Sequence, residues 1–234
     1  MSRKDLLDRL ERAAIALDMV DLPKVFVGGA TMPLYVEGNV GDVLRETKDV
    51  DLMVEAASYT EFAALEARLR AAGFRQDIMG RGPRCRWYKG EDQYDIVDVR
   101  TDHPLDRWAR PTGAGIEQRA LPSGRTIPVP CPGRFLAAKI AALTDRGGAQ
   151  WYDSADFEDI VLLLEAHTQL RPWLHATPHD AIESVAQWAA SATRRPGIRE
   201  EIEATVSRGP QIDVRVEAVY VRLNWLAFAW LEGS

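Results

Sequence analysis

Cysteine is scarce. The two in 234 residues, Cys85 and Cys131, are too few and too far apart for a disulfide framework or a structural zinc site. They read as buried free thiols in a reducing compartment. Histidine is nearly as rare, and the one suggestive pair, His175 and His179, has Pro178 between its members and no third ligand in view. Loop histidines are the expectation there. No apolar run reaches the ~20 residues of a membrane span. The opening stretch, MSRKDLLDRLERAAIALD, is charged throughout and lacks a signal-peptide core. A soluble, cytoplasmic protein with no membrane partner is expected. There is no internal repeat, no low-complexity linker, no P-loop or dinucleotide fingerprint, and no supported Ser/His/Asp or Cys/His arrangement. The net charge of −6 argues against non-specific coating of nucleic acid and leaves room only for a local basic groove.

What is present suits a packed core, with 46% apolar and 27% charged residues. Residues 4–18 space Leu6, Leu7, Leu10, Ala13, Ala14 and Leu17 as an amphipathic helix. Val25–Val27 read as a short strand that Gly28 and Gly29 end abruptly, with a helix expected from Ala30 to about Tyr35. Such a turn lets backbone N–H groups face an anion, although glycine pairs in ordinary turns are common. A loop is expected over 38–48. The stretch TKDVDLMVE then reads as a strand, with Asp49 and Asp51 on one face and Val50, Leu52 and Val54 on the other. A helix follows, capped by Ser58 and stopped by Gly73.

Two hairpins come next. The first runs about Cys85–Lys89 and Tyr94–Arg100, turning near Gly90; the second spans 116–129 around Ser123 and Gly124. On the first return strand, Asp98 between Val97 and Val99 is preferred over Asp95 as the inward carboxylate. Arg81, Arg84, Arg86 and Lys89 make either a solvated edge or a basic lip for a triphosphate or RNA backbone, with Arg86 the favoured contact. Arg194, Arg195 and Arg199 form a weaker second group. From Phe135 onward the pattern is helical, with Ser154 a cap and further helices expected over 179–192, 197–207 and 212–231. The tryptophans of the last helix read as core or interface. The expected fold is α/β (α+β): a mixed β-sheet flanked by helices over residues 1–130, then a helical domain over 131–234.

Strand, glycine turn, helix, strand with paired aspartates, and a later strand with a third carboxylate are the parts that nucleotidyl transfer needs. The glycines admit a nucleotide's phosphates, and hard carboxylates suit Mg²⁺. The third carboxylate can bind metal or take the acceptor's proton. The segments VFVGGAT, TKDVDLMVE, CRWYKG, DIVDVRTD, FLAAKIAALTDRGG and DSADFEDIVLLLE, in this order over residues 24–166, resemble abortive-infection nucleotidyltransferases of the AbiEii/AbiGii type. The resemblance implies a fold of the polymerase-beta superfamily and a toxin of a toxin–antitoxin pair. It implies NTP as donor, Mg²⁺ or Mn²⁺ as metal, and RNA, tRNA first, as acceptor, with a cognate antitoxin as partner. By motif it assigns Gly28 and Gly29 to the nucleotide and Asp49, Asp51 and Asp98 to metal and catalysis. Lys139, Asp156 and Asp159 match its K-x-x-A and D-x-x-D helices on the nucleotide side. Ala30 stands where many members carry Ser, so Thr31 is expected to supply the hydroxyl, and VDVRTD departs from the common VDVMPTD. The alternatives are transfer to a small molecule of the aminoglycoside type, or a silent nucleotide- or partner-binding module.

Overall fold

The structure is a computed structural model that describes residues 2–36, 44–77, 85–99, 106–146, 148, 150–167, 170–206 and 210–228. Most of the expected 38–48 loop, Arg81, Arg84, Arg100 and the ends of the last two helices lie outside the described residues. Contacts divide the chain into two units, Met1–Leu34 with Leu44–Pro130, and Tyr35–Val43 with Cys131–Ser234.

In the first unit a five-stranded mixed sheet has the order β1-β2-β5-β4-β3. The strands are β1 (Lys24–Val27), β2 (Asp49–Val54), β3 (Arg75–Gln76), β4 (Arg86–Lys89) and β5 (Asp92–Asp98). β2 runs parallel to β5 and antiparallel to β1, while β4 is antiparallel to both β5 and β3. The alternation in β2 is strict: Val50, Leu52 and Val54 are buried, and Asp49, Asp51 and Met53 are half-buried. Register sets Tyr94 and Ile96 beside Val50 and Leu52, so these residues build one buried face. Each fully buried aliphatic side chain contributes about 1.5–3 kcal/mol. α1 (Arg3–Ala16) buries Leu6, Leu10, Ala13 and Ala14, and starts at a capping box in which Ser2 and Asp5 exchange hydrogen bonds of 3.2 and 2.9 Å. α2 (Tyr59–Ala71) is capped by Ser58, whose hydroxyl accepts from Glu61 N at 3.1 Å.

On the opposite face, Val25 and Val27 pack with Met53, Ala109 of the short α3 (Asp106–Ala109) and Ile116. The second hairpin, β6 (Ile116–Ala120) and β7 (Thr126–Pro130), forms its own two-stranded sheet. The expected helix after Gly29 is a 3₁₀ helix over Gly29–Leu34, because Pro33 removes an N–H and the bonds close over three residues, as in Thr31 N to Gly28 O at 3.2 Å. α3 and β3 were not foreseen; each is too short to show a period.

The second unit is helical: α4 (Pro132–Arg146), α5 (Ala155–Ala166), α6 (Arg171–Ala176), α7 (His179–Ala192), α8 (Ile198–Val206) and α9 (Ile212–Phe228). Tyr35 stacks on Phe135 at 4.4 Å between centroids. α5 buries Phe157, Ile160, Val161, Leu163 and Leu164, and Arg222 of α9 donates to the carbonyls of Leu164 and Glu165 that end it. His175 closes α6 while His179 opens α7, so the two histidines are helix-end residues rather than loop ones and share no helix face. Val216, Val219, Leu223 and Leu226 carry the buried side of α9, Trp225 is half-buried, and Trp230 lies outside the described residues. No helix among the described residues is long and apolar enough to cross a membrane.

Candidate active site

β1 ends in Gly28 with φ of +77°, a left-handed turn that suits glycine. A Cβ built there would lie 1.9 Å from Asp51 Oδ2. The glycine is therefore an approach requirement as well as a turn: its bare backbone makes room for the Asp51 carboxylate. Thr31, fully buried, donates its hydroxyl to Gly28 O at 2.8 Å. That contact corrects the expectation that Thr31 faces a phosphate; its hydroxyl is turned inward and braces the glycine turn.

Asp49 and Asp51 share the face opposite the Val50–Leu52–Val54 row. The third carboxylate on this face is Asp95, because Asp51 pairs with Asp95 in register and β5 alternates from there. Asp98 pairs with Val54 and lies on the other face, where it accepts from Ala56 N at 3.4 Å. The preference for Asp98 over Asp95 is thus overturned by one residue of parity. The flanking valines suggested an inward position for Asp98, but β5 is buried on both faces over Tyr94–Ile96, so apolar neighbours carry no information about side.

Arg86 lies across from Asp95 in the β4–β5 ladder. Its Nε donates to Asp95 Oδ1 at 2.9 Å, and its Nη2 donates to Asp95 Oδ2 at 2.8 Å and to Asp49 Oδ2 at 3.2 Å. Hydrogen bonding to Asp95 holds the guanidinium pKa well above its usual value, against the burial that lowers it. Burial pushes the neighbouring Cys85 thiol up, and Asp95 and Asp51 add to the effect, so this half-buried cysteine is no thiolate nucleophile.

Carboxylates of one face, with a glycine turn against one of them, are a donor set chemically suited to a hard divalent ion. Among the described residues, no group of three His, Cys, Asp or Glu is already arranged to hold a metal. Arg86 takes both oxygens of Asp95.

Lys139, Asp156 and Asp159 come together in the second unit. Lys139 Nζ is 2.6 Å from Asp159 Oδ2 and 3.3 Å from Asp156 Oδ1, and Arg146 Nη2 is 2.9 Å from Asp156 Oδ2. All three are buried, so the ammonium is already neutralised by its own helix pair. Arg195 pairs with Glu201 and lies over Trp151, while Arg199 pairs with Glu217 over Tyr220. Those contacts engage Arg195 and Arg199 of the second arginine group. A cavity of about 570 Å³ in the second unit is lined by Leu170, Pro172, Val221, Arg222 and Trp225, among others. His175 is the one metal-ligating side chain among its lining residues, and Arg171 and Arg222 bring positive charge to it.

Several solved structures match over most or all of the chain. A nucleotidyltransferase-like protein from Paracoccidioides brasiliensis has a TM-score of 0.55 at 17% identity, over 87% of this chain and 94% of its own. JHP933 from Helicobacter pylori has a TM-score of 0.51 at 12% identity, over 100% of this chain and 96% of its own. A putative nucleotidyltransferase from H. pylori gives 0.51 and 12%, over 98% of each chain. The fold is nucleotidyltransferase-like. At such identities the likeness establishes the fold alone. No family model matches the chain. No curated protein matches it. Within the nucleotidyltransferase-like fold, then, the residues of this chain have to carry the functional argument.

Proposed function

We propose that the protein transfers a nucleotide from an NTP to an acceptor hydroxyl, releasing pyrophosphate. The observation that supports this most is that Asp49, Asp51 and Asp95 share one sheet face, with Gly28 giving up its side chain to Asp51. Asp49 and Asp51 would hold Mg²⁺ or Mn²⁺, and Asp95 would complete the set. A bound divalent ion supplies charge neutralisation at the triphosphate and a lowered pKa for the attacking hydroxyl. Gly28 and Gly29 would keep the turn open to phosphate oxygens, and Asp95, once Arg86 has left it, could instead take the acceptor's proton.

The finer reading rests on the motif likeness to abortive-infection nucleotidyltransferases: an RNA acceptor, tRNA first, in a toxin countered by an antitoxin. The net charge of −6 favours the second reading, a cationic small-molecule acceptor. The deciding experiment incubates protein and Mg²⁺ with each α-labelled NTP against total tRNA and, separately, against aminoglycosides. Asp49→Ala and Asp51→Ala run alongside. Label on RNA from the wild type alone supports the first reading. Label on the small molecule supports the second, and equal labelling by the aspartate variants refutes both.

A further inference from the structure

Both oxygens of Asp95 and one of Asp49 are already committed to a single guanidinium. The Arg86 side chain is 21% exposed and that of Asp95 11%, so water does little to loosen the pair. Turning the Gln93 amide over, so that its oxygen faces Arg86, would add contacts of 3.0 and 3.1 Å to the same Nε and Nη2. A planar fork held this way is a positioned group, not a swinging surface charge. It also meets a conflict. A divalent ion ligated by Asp49 and Asp95 would sit among the oxygens that Arg86 now occupies, and two cations repel at such range.

We infer that Arg86 is the resident counter-ion of the acidic face, released when a divalent ion binds there and then free to meet the triphosphate. The inference rests on the proposed metal site. It adds an order of events: metal loading precedes or accompanies the nucleotide's contact with Arg86. Before loading, the guanidinium offsets like charges that would otherwise spread the three aspartates apart. After loading, the ion takes over that role, and Arg86 has a cation's reason to leave and a polyanion to go to. One residue thereby keeps the empty site assembled and couples its filling to substrate binding.

Arg86→Gln should bind Mn²⁺ about tenfold more tightly than wild type, since losing the competing charge-assisted bonds is worth at least ~1.4 kcal/mol. Free Mn²⁺ is read by electron paramagnetic resonance. The same variant should bind Mn²⁺–NTP more weakly, an opposite sign that a purely structural role does not produce. Because the variant loses a half-buried ion pair, a wild-type measurement stands beside it: the Arg86 Nε–H resonance should shift on Mg²⁺ addition. Mn²⁺ binding by Arg86→Gln that is equal to or weaker than wild type overturns the inference alone. So does an Arg86 resonance unmoved at saturating Mg²⁺. Absence of Mn²⁺ binding by both proteins overturns it together with the metal-site reading.

Discussion

Replacing Gly28 by alanine perturbs the turn and the carboxylate in a single step. At φ of +77° an L-residue is strained by roughly 1–2 kcal/mol. The added Cβ would also meet Asp51 Oδ2 at 1.9 Å, so Asp51 must rotate out of its place. Together these effects should cost about 2–4 kcal/mol. Gly73 provides the internal control. Its φ is +86°, but a Cβ there meets nothing within 4 Å, so Gly73→Ala carries the strain without the collision. Urea unfolding of both variants separates the two contributions, and Mn²⁺ titration reports on Asp51. Gly28→Ala should be the less stable variant and should lose metal binding and nucleotidyl transfer, while Gly73→Ala keeps both functions. Equal stability losses, or intact metal binding in Gly28→Ala, would refute the claim that this glycine exists to seat Asp51.

The parity argument makes a second test. Asp95→Asn should lower transfer by at least about 100-fold, in the range of lost general-base catalysis, while Asp98→Asn stays within a few-fold of wild type in the same labelled-NTP assay. Lys139→Met leaves Asp159 without an ammonium 2.6 Å away and should cost about 3–5 kcal/mol in denaturant. Adding Asp159→Leu should recover part of that loss, because the uncompensated charge goes with it. Tyr94 gives a pH prediction. Burial pushes its pKa up from 10.0 to about 12, with Asp92 adding to the shift. The folded state holds this proton longer than the unfolded chain. The stabilisation is therefore complete below pH 10 and is lost as pH rises towards 12. Unfolding of Tyr94→Phe across that window should show a shallower alkaline decline than wild type.

The fold was legible where one periodicity dominated. β2 shows its alternation openly, so the shared face of Asp49 and Asp51 could be read from nine residues of sequence. Ser58 and Ser154 cap helices by local hydrogen bonds, which is why those helix starts were recoverable. β5 was illegible in the way that matters for the site. Its core residues are buried regardless of side, and only pairing with β2 says that Asp95 joins Asp51. The Arg86–Asp95 pair follows from the register of the hairpin that turns at Gly90. Thr31 is ambiguous for a similar reason. A hydroxyl two residues past a glycine pair reads equally as a phosphate contact or as a turn brace, and only three-dimensional closure onto Gly28 O separates them.

The register of Arg86 and Asp95 also bears on how the chain reaches this state. They face each other across a tight hairpin, so their pair can form locally, on the microsecond scale of hairpin closure. The parallel pairing of β5 with β2 is non-local: Asp51 and Asp95 are partners across α2, β3 and β4. Such a step is slow, and here it must bring carboxylate against carboxylate. A hairpin that arrives with Asp95 already neutralised meets less repulsion at the moment of docking. The ion pair thus shapes the barrier to folding as well as the finished sheet, and its removal should slow refolding more at low ionic strength than at high, where salt screens the aspartates in its place.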